Sequence, residues 1–152
     1  MTVSIDDVKK LREKTQAGVV DCQKALKEAN GDFGKAEKLL LEKGIASAEK
    51  RGSRETKQGR VESYIHSDGK TGVMVEVQCE TDFVARTDEF KNLCHELSMQ
   101  VAAMDPADVK ALFAQPWVKD DKRTIEELVK EVIAKTGENV VVKRFIRYRL
   151  GE

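Results

Sequence analysis

The central stretch of the chain reads Val73-Met74-Val75-Glu76-Val77-Gln78-Cys79. Successive side chains of a β-strand point to opposite faces of a sheet, so this alternation separates an apolar face from a mixed one. The apolar face carries Val73, Val75, Val77 and Cys79, and the opposite face carries Met74, Glu76, Gln78 and Glu80. The pattern is typical of a strand that covers a core on one side only.

A second strand precedes this one, with Val61, Ser63 and Ile65 on one face. The residues between the two strands predict a hairpin loop: Ser67-Asp68-Gly69-Lys70-Thr71-Gly72. Part of this loop is similar to a phosphate-binding motif. That motif needs a glycine where Tyr64 stands and a helix directly after it, whereas a strand follows here. We therefore expect a hairpin turn.

The rest of the second half adds two principal helices and a third strand. One helix is predicted from Asp88 to just before Pro106, and another from a cap at Thr124 to a stop at Gly137. Residues 107–123 are expected to be irregular. The last strand is predicted to place its apolar side chains on a single face: Val140, Val142, Ile146, Tyr148 and Leu150. The pattern predicts an α+β fold with three antiparallel strands and packed helices.

The first 45 residues have a helical period instead. Ser4 with Asp7 indicates a capping box, Gly18 separates a second helix, and Asp32 caps a third that is expected to end at Gly44. Three short helices with tight turns predict a bundle that resembles the ubiquitin-associated domain. The basic stretch that follows is predicted to be a partly helical linker. The expected units are the three-helix bundle 1–45, the linker 46–60 and the α+β core 61–152.

Composition excludes several classes of protein. The 152 residues carry 27 basic and 27 acidic side chains, so no net charge attracts the chain to nucleic acid or a membrane. No apolar run approaches the roughly 20 residues that span a bilayer, and we expect no export signal at the N-terminus. Cys22, Cys79 and Cys94 have no short spacing, which indicates free thiols in a reducing cytoplasm.

The titratable residues do not form a pattern typical of catalysis or of a metal site. His66 and His95 make no ligand spacing with a cysteine or a carboxylate pair. Cys79 and Cys94 fall on apolar faces, where thiols usually serve as packing groups. A small cysteine hydrolase is therefore the most distant hypothesis. The linker cations have few aromatic neighbours, which favours a solvated helix surface over an RNA site: Lys50, Arg51, Arg54, Lys57 and Arg60.

An aromatic residue follows the central strand in an unusual place. The chain continues as Glu80-Thr81-Asp82-Phe83-Val84-Ala85, which puts a phenylalanine beside a carboxylate at a strand-to-helix turn. Such turns are normally solvated. Either Phe83 packs back onto its own core while Asp82 caps the next helix, or Phe83 inserts into a partner's pocket. The residues alone leave both interpretations open.

This turn, the stretch Leu11 to Leu26 and the ending Glu138 to Phe145 together resemble the elongation factor Ts family, over almost the whole chain. The resemblance implies a guanine-nucleotide exchange factor that binds elongation factor Tu with GDP and promotes GDP release during translation elongation. It implies no covalent chemistry and no cofactor. It also implies that the turn enters the G domain of elongation factor Tu near the magnesium end of the nucleotide site. The implied contact residues of the turn are Thr81, Asp82, Phe83 and Val84.

The resemblance implies a second contact with the same G domain, made by the N-terminal bundle through Leu11, Val19 and Val20. Family members often carry two methionines after Ala-Gly, where this chain has the shorter, β-branched pair Val19-Val20. Gln16 stands where a glycine is common in the family, and we expect it to be tolerated.

The sheet also bears on assembly. Three strands with helices on one side leave the other face to be covered, either by the linker or by a second copy of the sheet. This chain has the length for one of the two core halves that longer family members carry, and the short members of the family imply dimerisation. We therefore expect a homodimer formed through the uncovered face.

An alternative function is a non-catalytic adaptor. In that case the ubiquitin-associated-like bundle would bind a partner, and the α+β half would be a dimerisation domain. This hypothesis is favoured if the bundle alone binds a target and the turn at Asp82-Phe83 is irrelevant.

Overall fold

The three predicted N-terminal helices form. The computed structural model describes residues 3–152, which begin with α1 (Ile5–Thr15), α2 (Val19–Glu28) and α3 (Phe33–Arg51). Two helix starts are fixed by side chains that satisfy free backbone N–H groups. Ser4 Oγ accepts from the Asp7 N–H, and Asp32 Oδ1 accepts from the Lys35 N–H, both at 3.0 Å. The bundle core consists of Val8, Leu11, Cys22, Ala25, Leu26, Ala29, Ala36 and Leu40.

The second half is built around a three-stranded antiparallel sheet, which confirms the α+β fold. Its elements are β1 (Gln58–Ile65), β2 (Thr71–Cys79), α4 (Asp82–Ala85), α5 (Asp88–Met104), α6 (Val109–Ala114), β3 (Pro116–Trp117), β4 (Asp120–Thr124), α7 (Ile125–Thr136) and β5 (Val140–Arg149). The strand order is β1-β2-β5, so β2 is central. Val73, Val75 and Val77 of β2 are buried in the same core cluster as Phe90, Leu93 and Leu97 of α5. No helix within residues 3–152 combines the length and apolarity needed to cross a bilayer.

A β-bulge interrupts β5. Val142 pairs with Val77, but the next pair along the ladder joins Arg144 to Glu76. Lys143 is therefore the extra residue, and the alternation of β5 shifts by one position after it.

The bulge divides the apolar side chains of β5 between the two faces of the sheet. Val140 and Val142 precede it and are buried in the core, whereas Ile146, Tyr148 and Leu150 follow it and are exposed. The prediction that all of them share one face is wrong. Strict alternation assumes an unbroken ladder, and a slip of one residue moves every later side chain to the other face.

The side of the sheet away from α5, here called the outer sheet face, carries several exposed apolar side chains. In β1 the half-buried Arg60, Glu62 and Tyr64 lie opposite the inward-facing valines of β2. The apolar residues of β1 therefore point outward. The exposed large side chains of the outer sheet face are Val61, Ile65, Met74, Ile146, Tyr148 and Leu150.

The segment 107–123 is more regular than expected. It contains α6 and the β3–β4 hairpin. The buried amide of Gln100 anchors this hairpin: its Nε2 donates to the Pro116 carbonyl at 3.1 Å, and its Oε1 accepts from the Val118 N–H at 3.0 Å. Elements as short as the 6-residue α6 and the 2-residue β3 are too brief to produce a periodic sequence signal.

The predicted bounds of α7 are confirmed. Thr124 Oγ1 accepts from the Glu127 N–H at 3.2 Å, and Glu127 Oε2 accepts from the Thr124 N–H at 2.9 Å, which completes a capping box. Gly137 ends the helix with a φ of 75°, a left-handed conformation that glycine adopts without strain.

The predicted end of α3 at Gly44 is wrong, because α3 continues to Arg51 and packs against α7. A Cβ at Gly44 would lie 2.7 Å from the Cβ of Ala134, so this glycine permits close contact between two helices. Arg51 Nη1 then donates to the Ile133 carbonyl near the end of α7, at 3.3 Å. The division into units 1–45, 46–60 and 61–152 stays a prediction.

Two glycines of α3 give a matched test of this helix contact. At Gly34 an added Cβ would come no closer than 3.5 Å to Asp32 Oδ1, whereas at Gly44 it would collide with Ala134. Both Gly34→Ala and Gly44→Ala gain up to about 1 kcal/mol of helix propensity. Gly44→Ala should also force the helices apart, which costs about 1–3 kcal/mol. Urea unfolding should therefore rank Gly34→Ala above Gly44→Ala in free energy of unfolding. Equal values for the two variants would contradict the close contact.

Candidate functional site

Phe83 is almost fully exposed, with a relative accessibility of 88%. Its neighbours Val84 and Ala85 are buried and anchor α4 to the core. The interpretation in which Phe83 packs onto its own core is therefore wrong. An exposed aromatic side chain on an anchored strand-to-helix turn is a candidate contact residue, since binding residues often lie on loops that a rigid scaffold positions. Val84 faces the core in this chain, and its contact with a partner stays a prediction.

Thr81, rather than Asp82, caps α4. Thr81 Oγ1 accepts from the Val84 N–H at 3.4 Å. Asp82 Oδ2 lies 2.6 Å from Arg86 Nη2, one helical turn later. Because both side chains are largely solvated, this ion pair contributes little stability, at most about 1 kcal/mol. It holds the Asp82 carboxylate on the surface beside Phe83.

Glu138 joins the start of β5 to the turn, a role that the sequence did not suggest. Its Oε1 accepts from the Glu80 N–H at 3.1 Å and from the Thr81 N–H at 2.8 Å. Its Oε2 accepts from the Thr81 hydroxyl at 2.6 Å. The two partners are 57 and 58 residues distant in sequence, so no local pattern identifies them.

The predicted contact residues of the bundle divide into exposed and buried sets. Val19 and Val20 open α2 with relative accessibilities of 52% and 60%. Leu11 is fully buried among the bundle helices. The surface available to a partner is therefore the pair Val19-Val20, and Leu11 supports it from within.

The backbone conformation of Gln16 explains why a glycine suits this position. It is the C-cap of α1 and has a φ of 57°, the left-handed conformation that costs glycine least. Its Nε2 donates to the Glu13 carbonyl at 3.0 Å, which satisfies one of the free carbonyls at the helix end. The chain therefore keeps the turn without glycine.

The cysteines are buried packing groups. Burial raises the pKa of the Cys79 thiol to about 11 and that of the Cys94 thiol to about 12. Cys79 Sγ also donates to the Thr81 carbonyl at 3.2 Å. A catalytic thiol needs a lowered pKa and access to substrate, so this arrangement does not favour the hydrolase hypothesis.

The histidines belong to a small aromatic cluster. Tyr64 Oη lies 3.0 Å from His66 Nδ1, and the ring of His95 meets that of Tyr64 edge-on at 6.1 Å. Within residues 3–152 there is no group of three or more His, Cys, Asp or Glu side chains arranged to hold a metal ion.

Two of the basic residues between the halves are engaged in structural contacts. Arg51 binds the Ile133 carbonyl, and Arg54 Nη1 donates to the Gly137 carbonyl at 3.3 Å. Cations near the last carbonyls of a helix stabilise it, because they interact favourably with the negative end of the helix dipole. Arg51, the last residue of α3, and Arg54, in the chain that follows it, therefore both contact the C-terminal end of α7, while the Arg54 side chain stays 52% exposed.

The outer sheet face contains one charged pair among its apolar residues. Arg144 Nε donates to Glu76 Oε2 at 2.7 Å, and this hydrogen bond lowers the pKa of Glu76 below its ordinary value.

The loop at Gly69 is a hairpin turn, as predicted: the Gly69 N–H donates to the His66 carbonyl at 2.8 Å, and the His66 N–H donates to the Thr71 carbonyl at 2.9 Å.

Comparison with known proteins gives the class of this chain. The family model described as Elongation factor TS matches residues 80–152. The chain is 42% identical to Elongation factor Ts of Thermotoga maritima, over 100% of this chain and 98% of that protein. It is 43% identical to that of Coprothermobacter proteolyticus, over 100% of both chains. It is 44% identical to that of Anaeromyxobacter sp., over 99% of this chain and 89% of that protein.

These matches define a translation elongation factor. The chain belongs to the elongation factor Ts family. The alignment with the Thermotoga protein runs over 195 positions, whereas this chain has 152 residues. At 43 positions of the alignment this chain therefore has no residue.

Thiol labelling tests the chemistry of the cysteines. At pH 8 a thiol with an ordinary pKa near 8.5 is roughly a quarter thiolate, whereas one with the raised pKa of Cys79, about 11, is almost entirely protonated. Cys79 and Cys94 of the native chain should therefore react with a chromogenic disulfide at least about 100-fold more slowly than the same thiols of the chain in guanidinium. The denatured sample is the control and should yield three thiols. Rapid labelling of Cys79 or Cys94 in the native protein would contradict this prediction and favour the hydrolase hypothesis.

Proposed function

We propose that this chain is a guanine-nucleotide exchange factor that binds the G domain of elongation factor Tu and promotes GDP release. The observation that carries the proposal is the exposed Phe83 on a core-anchored turn, in a chain of the elongation factor Ts family. The chain acts by binding and carries out no covalent step of its own. It works in the cytoplasm, where translation elongation takes place.

Linkage explains how binding alone speeds nucleotide release. If the factor binds nucleotide-free elongation factor Tu more tightly than the GDP-bound form, GDP must bind the complex more weakly by the same ratio. Coupling free energies of about 1–3 kcal/mol are typical of allosteric proteins. An exchange factor needs a larger value, so a strong contact must form only when the nucleotide site opens.

Phe83 supplies such a contact. Full burial of a phenylalanine side chain contributes about 1.5–3 kcal/mol relative to leaving it in water. In the free factor nearly all of that side chain is solvated, so the gain is still available for insertion into a partner. The ring spreads two elements of the G domain near the magnesium ion, with the Asp82 carboxylate beside it.

Disturbing the magnesium ion weakens GDP binding electrostatically. A bound divalent cation is often the largest local charge in a nucleotide site and offsets the charge of the phosphates. When its supporting residues move, the phosphate charge is less compensated and GDP leaves faster. GTP, which is in excess in a cell, then binds and displaces the factor.

The N-terminal bundle provides a second contact with the same domain. Val19 and Val20 are exposed at the start of α2, and the bundle behind them is joined to the core through the contact of α3 with α7. Two contacts on one rigid scaffold restrict the orientation of the partner, which lowers the entropic cost of inserting Phe83.

Substitution of Phe83 tests the proposal. Phe83→Ala should reduce the stimulated release of a fluorescent GDP analogue from elongation factor Tu by about ten- to a hundredfold, the equivalent of the lost burial. The fold should not change, because the ring is solvated in the free factor. Val118→Ala is the matched control. Val118 is also exposed and apolar, but it is bonded to Gln100 in the C-terminal half of α5, whereas Phe83 lies before the start of that helix.

The wild-type chain sets the baseline of this assay. Acceleration by wild type and by Val118→Ala, with loss in Phe83→Ala, supports the proposed function and the wedge. An unchanged rate in Phe83→Ala would overturn the wedge, and no acceleration by wild type would overturn the exchange function.

We also propose that two copies of the chain associate through the outer sheet face. Its exposed apolar residues extend over all three strands and form a surface larger than the scattered apolar groups normal on monomers. A two-fold axis would pack this face against itself, as two sheets pack in a sandwich. This arrangement covers Ile65 and Tyr148, which are both largely exposed in the single chain.

A charge placed on the outer sheet face tests this association. Ile65→Glu would bury a carboxylate in a homodimer at a cost of several kcal/mol, whereas Val118→Glu adds the same charge elsewhere. Sedimentation velocity should show a dimer for wild type and Val118→Glu, and a monomer for Ile65→Glu. A monomeric wild type at high micromolar concentration, or a dimeric Ile65→Glu, would contradict the proposed interface.

A further inference from the structure

We propose that Glu138 is a positioning residue that sets the direction of Phe83. Its carboxylate fixes the backbone of Glu80 and Thr81, from which α4 and the exposed ring project. This inference rests on the proposed exchange function and assigns to Glu138 an action through Phe83 rather than a contact with the partner.

One side chain makes all three contacts with the turn. The bonds to the two backbone N–H groups measure 3.1 and 2.8 Å, and the bond from the Thr81 hydroxyl measures 2.6 Å. Hydrogen bonds to an ionised carboxylate are shorter and stronger than those between neutral groups. Contacts to two successive N–H groups and a hydroxyl also define the orientation of the peptide between them.

The direction of Phe83 depends on that peptide. The helix α4 has 4 residues, too few to hold a helical conformation without support. Its cap is the Thr81 hydroxyl, which accepts from the Val84 N–H while donating to Glu138. The same hydroxyl thus connects the Glu138 carboxylate to the first turn of α4, and Phe83 is the second residue of that helix.

Glu138 is itself held in place. It follows Gly137 at the end of α7, and its N–H donates to Thr136 Oγ1 at 3.4 Å. A reciprocal bond crosses the same gap: the Asn139 N–H donates to Glu80 Oε1 at 2.7 Å. Arg54 Nη1 lies 3.6 Å from Glu80 Oε1. The positive charge of this arginine offsets the repulsion between the carboxylates of Glu80 and Glu138.

Asn139 extends this support to the bundle side of the molecule. Its buried Nδ2 donates to the Arg54 carbonyl at 2.8 Å and lies 3.4 Å from the Gly52 carbonyl, directly after α3. The turn is therefore fixed to α7, to β5 and to the chain that leaves the bundle. A preorganised contact residue loses less conformational entropy on binding, and this is the benefit that Glu138 provides.

Two conservative variants separate the geometry of the carboxylate from its charge. Glu138→Gln keeps the reach and one acceptor oxygen for both N–H groups, and its amide can donate to the Thr81 hydroxyl. Glu138→Asp keeps the charge but is one methylene shorter, so it cannot reach all three donors. We expect stimulated GDP release to stay within about threefold of wild type in Glu138→Gln and to fall about tenfold in Glu138→Asp and Glu138→Ala.

The Phe83→Ala background shows whether Glu138 acts through the ring. Adding Glu138→Ala to Phe83→Ala should cause no further loss of exchange, because the residue to be positioned is already absent. An equal loss in both backgrounds would overturn the proposal and leave Glu138 with a general structural role. Glu126→Ala is the matched control, since Glu126 pairs with Lys130 on α7 and Lys130 also binds Glu49.

Amide hydrogen exchange by NMR provides a readout that does not need the partner. Protection of the Glu80 and Thr81 amides should be lost in Glu138→Ala and Glu138→Asp and kept in Glu138→Gln and Glu126→Ala, while the core amides of β2 stay protected. Unchanged protection of these two amides in Glu138→Ala would overturn the positioning role of Glu138, even if stimulated GDP release falls. If wild type does not accelerate GDP release, the proposed function fails, and this NMR comparison still decides whether Glu138 holds the turn.

Discussion

The structure depends on the pairing of β2 along both of its edges. β1 and β5 occupy those edges, and α5 shares the core with its inner face, so the position of the strand end is fixed. The chain leaves that end at Cys79 and enters the turn that carries Phe83. β5 begins opposite the same point, where Val140 pairs with Cys79, and this brings Glu138 next to Thr81. The proposed contact residue therefore projects from one of the most constrained places in the fold.

The same sheet presents two apolar faces, which one regular strand pattern could not provide. The extra residue Lys143 lets β5 contribute Val142 to the core and Ile146 to the outer sheet face. Without the bulge one of those sets would be on the wrong side. The inner face holds the chain together, and the outer face is available to a second copy. The two proposed interactions, with elongation factor Tu and with another copy, thus use different parts of the molecule.

Sequence reasoning succeeds here where structure is local. The caps at Ser4 and Thr124 are predictable because a hydroxyl and a backbone N–H three residues apart satisfy each other. The sequence does not predict that α3 continues past Gly44, because the partner of this glycine, Ala134, is remote in sequence and only the fold reveals the close contact. Glu138 in the candidate site also contacts a partner that is remote in sequence, Thr81. The exposure of Phe83 could be weighed from its position, whereas the carboxylate that holds its turn lies beyond any local pattern.

The proposed function requires this chain to bind elongation factor Tu more tightly when the nucleotide is absent. It is tested most directly by titrating the wild-type chain into nucleotide-free elongation factor Tu and into the same protein saturated with GDP and magnesium. Linkage predicts a ratio of dissociation constants above roughly a hundredfold, in favour of the nucleotide-free form, since the coupling must exceed the usual range for allostery. Equal affinity for the two forms would contradict the proposed exchange function, because a factor without a differential affinity cannot shift nucleotide binding.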